Sequence, residues 1–411
     1  MKFCRKSTVV FIAFLQFFAI TYSYAIEPHN FKLQGFEFTP QIKATQRYSD
    51  NFANSNISDE GSWLTTISPS FELSKNYNLN RIQFNYQITN VNYWSSQDDD
   101  YTNHKLSALT FLDLDVRHRL NISADYLNEY EERGTGYSIG FAEILKEPTA
   151  SETLQSQIRY NYGAKTAQGN VELRYSFEQI KWDSLFIDEL NLPQTGTDLD
   201  FTANREYKQH KIGTTFFYKT GAYTKISFSV DTSEVEYQHP RPNEELLDST
   251  LTSAFVGVEW QGSALTTGYV RLGYSSKEFD YSLYEDTDGF RWQVGILWTP
   301  LTYSNFDFST SKSVSEAKGQ GSSIENTDYH LSWQHQWLDR IATKLTAGYS
   351  EDDYGDSERY DDNTSYSATI YYKMLRNLDI SATVANSDRK SNINTVEYQE
   401  NIIEFGISAS F

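Results

Sequence analysis

Cysteine, methionine and proline are scarce in this chain: one, two and eight in 411 residues. The one cysteine, Cys4, lies at the extreme N-terminus, so no disulfide framework and no thiolate metal site can be built. Long apolar runs are missing as well. Past residue 25 none approaches the roughly 20 residues that a spanning helix requires, and the mean hydropathy is negative. A helical membrane protein is therefore excluded. Positive charge is in deficit, with 35 Lys and Arg against 55 Asp and Glu and a net charge of −20, which excludes the basic footprint of a nucleic-acid binder. What is abundant is aromatic: 30 Tyr, 26 Phe and 8 Trp make 16% of the chain, far too rich for a disordered acidic polypeptide.

The first 25 residues read differently from the rest. Lys2, Arg5 and Lys6 precede a short apolar stretch, Thr8–Ile20, and Ser23-Tyr24-Ala25 is a small-x-Ala cleavage site. This predicts a secretory signal peptide over 1–25, then a short periplasmic segment, 26–35. Cleavage would remove Cys4.

From residue 36 the dominant signal is strict alternation, the period of a strand with two unlike faces. Ile82, Phe84, Tyr86 and Ile88 alternate with Gln83, Asn85 and Gln87; Val171, Leu173, Tyr175 and Phe177 alternate with Glu172, Arg174, Ser176 and Glu178. About eighteen such runs are predicted between residues 36 and 411. The connections alternate too. Arg117–His118, Thr220–Ala222 and Leu338–Asp339 are tight, whereas Ser49–Gly61, Ser95–Asn103, Gly134–Glu152, Ser184–Phe201 and Glu351–Asn363 are long, polar and mostly acidic. Short turns at one end and long loops at the other is the layout of an outer-membrane barrel. The expected fold is all-β: a single transmembrane antiparallel β-barrel of about eighteen strands with short periplasmic turns, long acidic extracellular loops and no plug domain.

Within hydrocarbon every backbone donor and acceptor must pair inside the protein, so the sheet has to close. The apolar set then faces lipid and the polar set faces the lumen. Trp63, Tyr93, Trp94, Tyr162, Trp182, Trp260, Trp298, Trp333 and Trp337 are expected in the two aromatic girdles. Arg159, Glu172, Arg174, Glu178, Arg271, Arg291, Lys344, Asp113 and Asp115 are the candidate pore-lining residues. Such a lining needs water, which a barrel of this size can hold. A loop such as Gly134–Glu152 or Ser184–Phe201 folded inward would narrow the pore.

Little points to chemistry. His330 is expected to face inward and His335 outward, so they cannot share a metal, and His104, His210 and His239 do not assemble with a serine by spacing. No metal spacing, phosphate-cradling glycine loop or nucleophile elbow is present in the sequence. The chain is expected to have no enzymatic activity and to need no cofactor. The acidic runs Asp98-Asp99-Asp100, Glu351-Asp352-Asp353 and Asp361-Asp362 read as a solvated exterior, or as a bridge through divalent cations to lipopolysaccharide.

In the last strand Ile403, Phe405, Ile407, Ala409 and Phe411 alternate with Glu404, Gly406, Ser408 and Ser410, and the sequence stops on Phe411. That ending resembles the assembly signal of outer-membrane barrels, with Ile403, Phe405, Ile407 and Phe411 as its residues. The layout as a whole, with its acidic loops and terminal Ile407–Phe411, resembles the putative β-barrel porin 2 family over roughly residues 30–411. The resemblance implies an outer-membrane conduit for a secreted or capsular polysaccharide. Implied partners are periplasmic polysaccharide-export and chain-length proteins, the barrel assembly machinery, and the lipid and lipopolysaccharide of the membrane. A diffusion porin for small hydrophilic solutes, or a surface-structural or receptor barrel, are the alternatives. Phe111, Phe217 and Tyr371 faintly resemble the lumenal aromatics of sugar-uptake channels.

Overall fold

The structure is a computed structural model that describes residues 31–57, 60–185, 202–240, 244–263 and 265–411. The predicted signal peptide, residues 26–30 and most of the Ser184–Phe201 loop lie outside the described residues. Two strands open the chain, β1 (Phe31–Leu33) and β2 (Phe36–Ser49). They are followed by β3 (Ser62–Tyr77), β4 (Asn80–Tyr93), β5 (Tyr101–Asp113), β6 (His118–Glu131), β7 (Thr149–Tyr162), β8 (Gly169–Trp182) and β9 (Tyr207–Lys219). Next come β10 (Thr224–Tyr237), β11 (Ser249–Ser263), β12 (Thr266–Phe279), β13 (Thr287–Leu301) and β14 (Ser304–Glu316). The last are β15 (Ser323–Leu338), β16 (Ile341–Tyr354), β17 (Tyr360–Leu375), β18 (Leu378–Ser391) and β19 (Tyr398–Ser410).

From β2 to β19 each strand pairs antiparallel with the next, and β19 pairs back onto β2 from Ile402↔Ser49 to Ser410↔Gln41. Eighteen strands thus close into a barrel with no free edge between them. At the seam the Phe411 N–H donates to the Pro40 carbonyl at 3.0 Å. β2 continues past that point, and β1 covers the remaining edge by pairing Phe31–Leu33 with Phe36–Phe38. Its turn, Gln34-Gly35, has both φ angles positive, at 51° and 83°, as a two-residue hairpin with the twist of its strands demands.

Alternation has the expected consequence. Ile67, Leu106, Ile212, Val256, Leu331 and Phe405 form an exposed apolar band on the outside. It is bordered at the short-turn end by Tyr162, Tyr218, Trp298 and Trp337, and at the long-loop end by Trp63, Tyr175, Tyr274 and Tyr366. Two residues expected in these girdles face the lumen instead. Tyr93 is buried against Phe52 and Tyr101, and Trp182 meets Tyr137 edge-on. Both fasten a loop to the wall, so their position near a strand end has a different cause. At the long-loop end β15, β16 and β17 also run further than their apolar pattern, leaving only 355–359 between β16 and β17. The runs Glu351-Asp352-Asp353 and Asp361-Asp362, expected in a loop, are therefore strand residues. Asp361 is fully buried and paired with Arg359 at 2.6 Å, so it is not part of a solvated exterior.

Candidate functional site

The barrel has two unlike ends. The turns 78–79, 302–303, 339–340 and 376–377 are as short as antiparallel strands allow. At the other end the β6–β7 connection, 132–148, reaches across the mouth. Its Tyr137 hydroxyl donates to the Ala317 carbonyl, 3.4 Å away on the β14–β15 loop. Its Ala142 packs into the cluster of Phe52, Leu64, Val91, Tyr93 and Tyr101. A Cβ added to its Gly140 would meet Val396 of the β18–β19 loop at 3.0 Å. The strap is thus held from several sides of the rim.

Two arginines fix it. Arg133 donates through Nε and Nη2 to both carboxylate oxygens of Asp99, at 2.6 and 2.5 Å. Its Nη1 donates to the carbonyls of Ala142 and Leu145 within the strap. These hydrogen bonds to Asp99 hold the Arg133 guanidinium above its ordinary pKa. Arg205 lies over the rings of Tyr137 and Trp182, at 4.1 and 5.4 Å, beside Glu131 at 3.8 Å. Planar guanidinium forks and aromatic faces suit each other and lose little entropy when ordered.

Below the strap the lumen is not uniform. On the wall from β7 to β13 the charged side chains pair with one another. Arg174 donates to Glu172 at 2.6 Å, to the Thr215 hydroxyl at 2.8 Å and to Asp231 at 2.8 Å. Arg159 stands 3.7 Å from Glu172. Glu178 accepts from Gln155 and Tyr207. Arg271 and Lys225 share Glu259, at 2.6 and 2.8 Å. Arg291 bonds Ser275 and Glu325. Gly213 makes this possible: a Cβ there would stand 2.0 Å from the Asp231 carboxylate and 3.0 Å from Arg174. The bridge occupies the space that any side chain would fill.

The opposite half, β2–β6 and β15–β19, encloses a cavity of about 780 Å³. Its lining is rich in hydroxyls and amides, among them Thr45, Ser68, Thr89, Thr369, Ser381 and Thr383. Four cations (Lys43, Arg47, Lys105, Lys344) and four anions (Glu129, Glu132, Asp379, Glu404) share it. Lys43, Lys105, Lys344, Asp379 and Glu404 make no ion pair or side-chain hydrogen bond among the described residues.

The candidate pore-lining residues are therefore divided. Lys344 lines the cavity. Arg159, Glu172, Arg174, Glu178 and Arg291 face the lumen but are buried in the paired wall, and Arg271 belongs to the same wall. Asp113 is covered near the short-turn end and meets Lys165 at 2.9 Å. Asp115 is a correction: β5 ends at Asp113, and Asp115 lies in the following turn. There its exposed carboxylate accepts the N–H groups of Arg117 and His118, and the Arg117 N–H lowers its pKa. Asn103, Gln87 and the Ser and Thr lining were not singled out from the sequence, although the polar phase of the alternation in β3, β4, β5, β17 and β18 contains them. His330 faces the lumen and His335 the outside, where it meets Trp333 and Trp337 at a tilt and Tyr303 edge-on.

Among solved structures the chain is similar to the outer membrane protein OpdK of Pseudomonas aeruginosa in its structure with vanillate. That match has 8% identity and a TM-score of 0.49, covering 92% of this chain and 100% of that one. A mutant of the ferric enterobactin receptor PfeA of Pseudomonas aeruginosa matches at 8% identity and TM-score 0.45, covering 91% of this chain and 80% of that one. The siderophore receptor PirA of Acinetobacter baumannii matches at 7% identity and TM-score 0.46, covering 91% and 80%. Among curated proteins no match to this chain was found. The family model described as Putative beta-barrel porin 2 matches residues 25–411, nearly everything after the predicted signal peptide. With a closed antiparallel barrel, a lipid-facing apolar band and a polar lumen already established, the chain belongs to the putative beta-barrel porin 2 family, as an outer-membrane barrel.

Proposed function

We propose that this protein is a pore through which a hydroxyl-rich polymer, a secreted or capsular polysaccharide, leaves the cell, with no chemistry of its own. The observation that carries the reading is the cavity lining: hydroxyls and amides, with four cations balanced by four anions. A lining without net sign gives no preference by charge. Hydroxyls and amides exchange hydrogen bonds with sugar hydroxyls singly, and weak repeated contacts let a chain keep moving where a strong site would stall it. In this reading the short turns face the periplasm and the long loops the exterior. Polysaccharide-export and chain-length proteins would meet the short-turn end, the assembly machinery would read the last strand, and lipopolysaccharide would surround the outer rim.

A second reading, a diffusion porin for small hydrophilic solutes, is favoured by the strap, which leaves a polymer less cross-section than an open barrel. Deletion separates the two. Loss of surface polysaccharide with unchanged uptake of small solutes supports export, and the reverse supports diffusion. Purified protein that carries no ion current in a planar bilayer refutes both.

A further inference from the structure

One aromatic ring, Tyr371, lines the cavity among the described residues. We propose that Tyr371, flanked by Asp379 and Lys344, is a binding subsite for a neutral hexopyranose unit of a glycan. The inference rests on the conduit reading above and goes beyond it by naming a site.

The placement follows from register. On β17 Tyr371 pairs with Ser381 of β18 on one side and Ala342 of β16 on the other. Directly opposite side chains lie about 5 Å apart and diagonal ones about 7–8 Å. Asp379 is the diagonal neighbour toward the short-turn end, next to Ser381. Lys344, opposite Thr369, is the diagonal neighbour toward the mouth. The ring thus lies between one anion and one cation, about the span of a sugar ring with its hydroxyls. Ala342, opposite Tyr371, is fully buried, and Tyr371 itself is partly exposed and lines the cavity.

The chemistry matches one ligand class. A pyranose carries an apolar C–H face and an edge of hydroxyls. The negative face of an aromatic ring attracts the C–H face. A carboxylate accepts from two adjacent hydroxyls and an ammonium donates to another. Asp379 and Lys344 make no hydrogen bond or ion pair among the described residues, and Asp379 Oδ1 is a buried oxygen without a partner. Their bonding capacity is not committed to the wall, unlike that of Arg174 or Arg271. Lys373, opposite Asp379, and Glu404, close to Tyr371, add one charge of each sign, so the charges around the ring cancel and a neutral unit fits better than a uronate. Phe111 and Phe217 do not line the cavity, and Phe217 lies beneath Lys225 at 4.1 Å; the site is a single platform, not a slide.

The test is ion-current recording on the purified full-length protein in planar bilayers, with cellotetraose as probe and polyethylene glycol of equal hydrodynamic size as control. Wild type should show brief current blockades with cellotetraose that the control does not give. Tyr371→Leu, which keeps bulk without the ring, should shorten their residence about tenfold at unchanged open conductance. Tyr371→Phe should preserve it, and Asp379→Asn should shorten it. A folded Tyr371→Leu barrel, identified by its heat-dependent shift on a gel, with wild-type residence would overturn the subsite. So would a conducting wild-type protein that cellotetraose does not block, and in that case the conduit reading stands. A wild-type barrel without ion current overturns the conduit and the subsite together.

Discussion

Arg133→Ala is expected to free the strap, and the size of the effect can be worked from the structure. The guanidinium is nine-tenths covered and meets an Asp99 carboxylate that is 3% exposed. Removing one partner of such a pair leaves the other as a buried, uncompensated charge, at about 3–5 kcal/mol. Among the described residues the other donor to the Asp99 side chain is Ser96 Oγ, at 2.6 Å. At about 1.4 kcal/mol per factor of ten, that moves the closed-to-open equilibrium of the strap by roughly two to three and a half orders of magnitude. The free energy is released when the strap swings out and water reaches Asp99. Single-channel recording should then show a larger, noisier open state than wild type. Adding Asp99→Asn removes the stranded charge while the apolar cluster around Ala142 still holds the strap, so the double variant should return most of the way to wild-type conductance. Equal conductance in wild type and Arg133→Ala, or a double variant more open than the single one, would refute the reasoning.

Three further outcomes follow from the same geometry. Arg174→Met takes from Glu172 and Asp231 the cation they share, leaving Glu172 with Arg159 at 3.7 Å, and should lower the unfolding free energy of the detergent-solubilised barrel by about 3–5 kcal/mol; Gly213→Ala, which displaces the same bridge, should act in the same direction. Lys344→Glu changes the cavity from four cations and four anions to three and five, so the reversal potential in a salt gradient should move from near zero toward cation selectivity. Asp248, in the loop before β11, has its carboxyl pushed up by burial, although it accepts the Tyr237 N–H at 2.6 Å. A raised folded-state pKa means the folded form holds the proton more tightly. Stability from this group is therefore full below its unfolded pKa of about 3.9 and is lost as pH rises through the folded value. Asp248→Asn should accordingly stabilise the barrel at neutral pH, with the gain vanishing in acid.

The strands were legible because lipid and water lie on opposite sides of one sheet, which imposes a period of two on residues such as Val171–Phe177. The same cause sets the limit. Beyond the bilayer both faces of β15–β17 are polar, the contrast disappears, and the acids of 351–353 and 361–362 look like loop although they continue the ladder. Tyr93 and Trp182 show a second limit. A ring near a strand end satisfies the girdle pattern whether it points to lipid or clasps a loop, and only the partner, Phe52 or Tyr137, distinguishes them. The β1 hairpin was missed because three residues are too few to show a period, although Gln34-Gly35 is a turn signal.

The division of the lumen was the least legible feature, and its cause is instructive. Glu172, Arg174 and Glu178 were placed on the inward face from alternation alone. Alternation does not say whether an inward charge is spent on its neighbour or offered to the pore. That depends on pairings such as Arg174 with Asp231, which lie two strands apart, and on Gly213 leaving room between them. A charge fixed by its partners stiffens the wall and is costly to divert to a passing solute. The charges that remain available are those that make no ion pair or side-chain hydrogen bond with their cross-strand neighbours: Lys43 opposite Ser68 and Ser408, Lys344 opposite Gln334 and Thr369, Asp379 opposite Lys373 and Ser408. A serine or threonine opposite a charge offers it no opposite charge to pair with. The pore-lining role is therefore better sought among inward charges flanked by hydroxyls than among the dense alternations of Arg and Glu that first draw the eye.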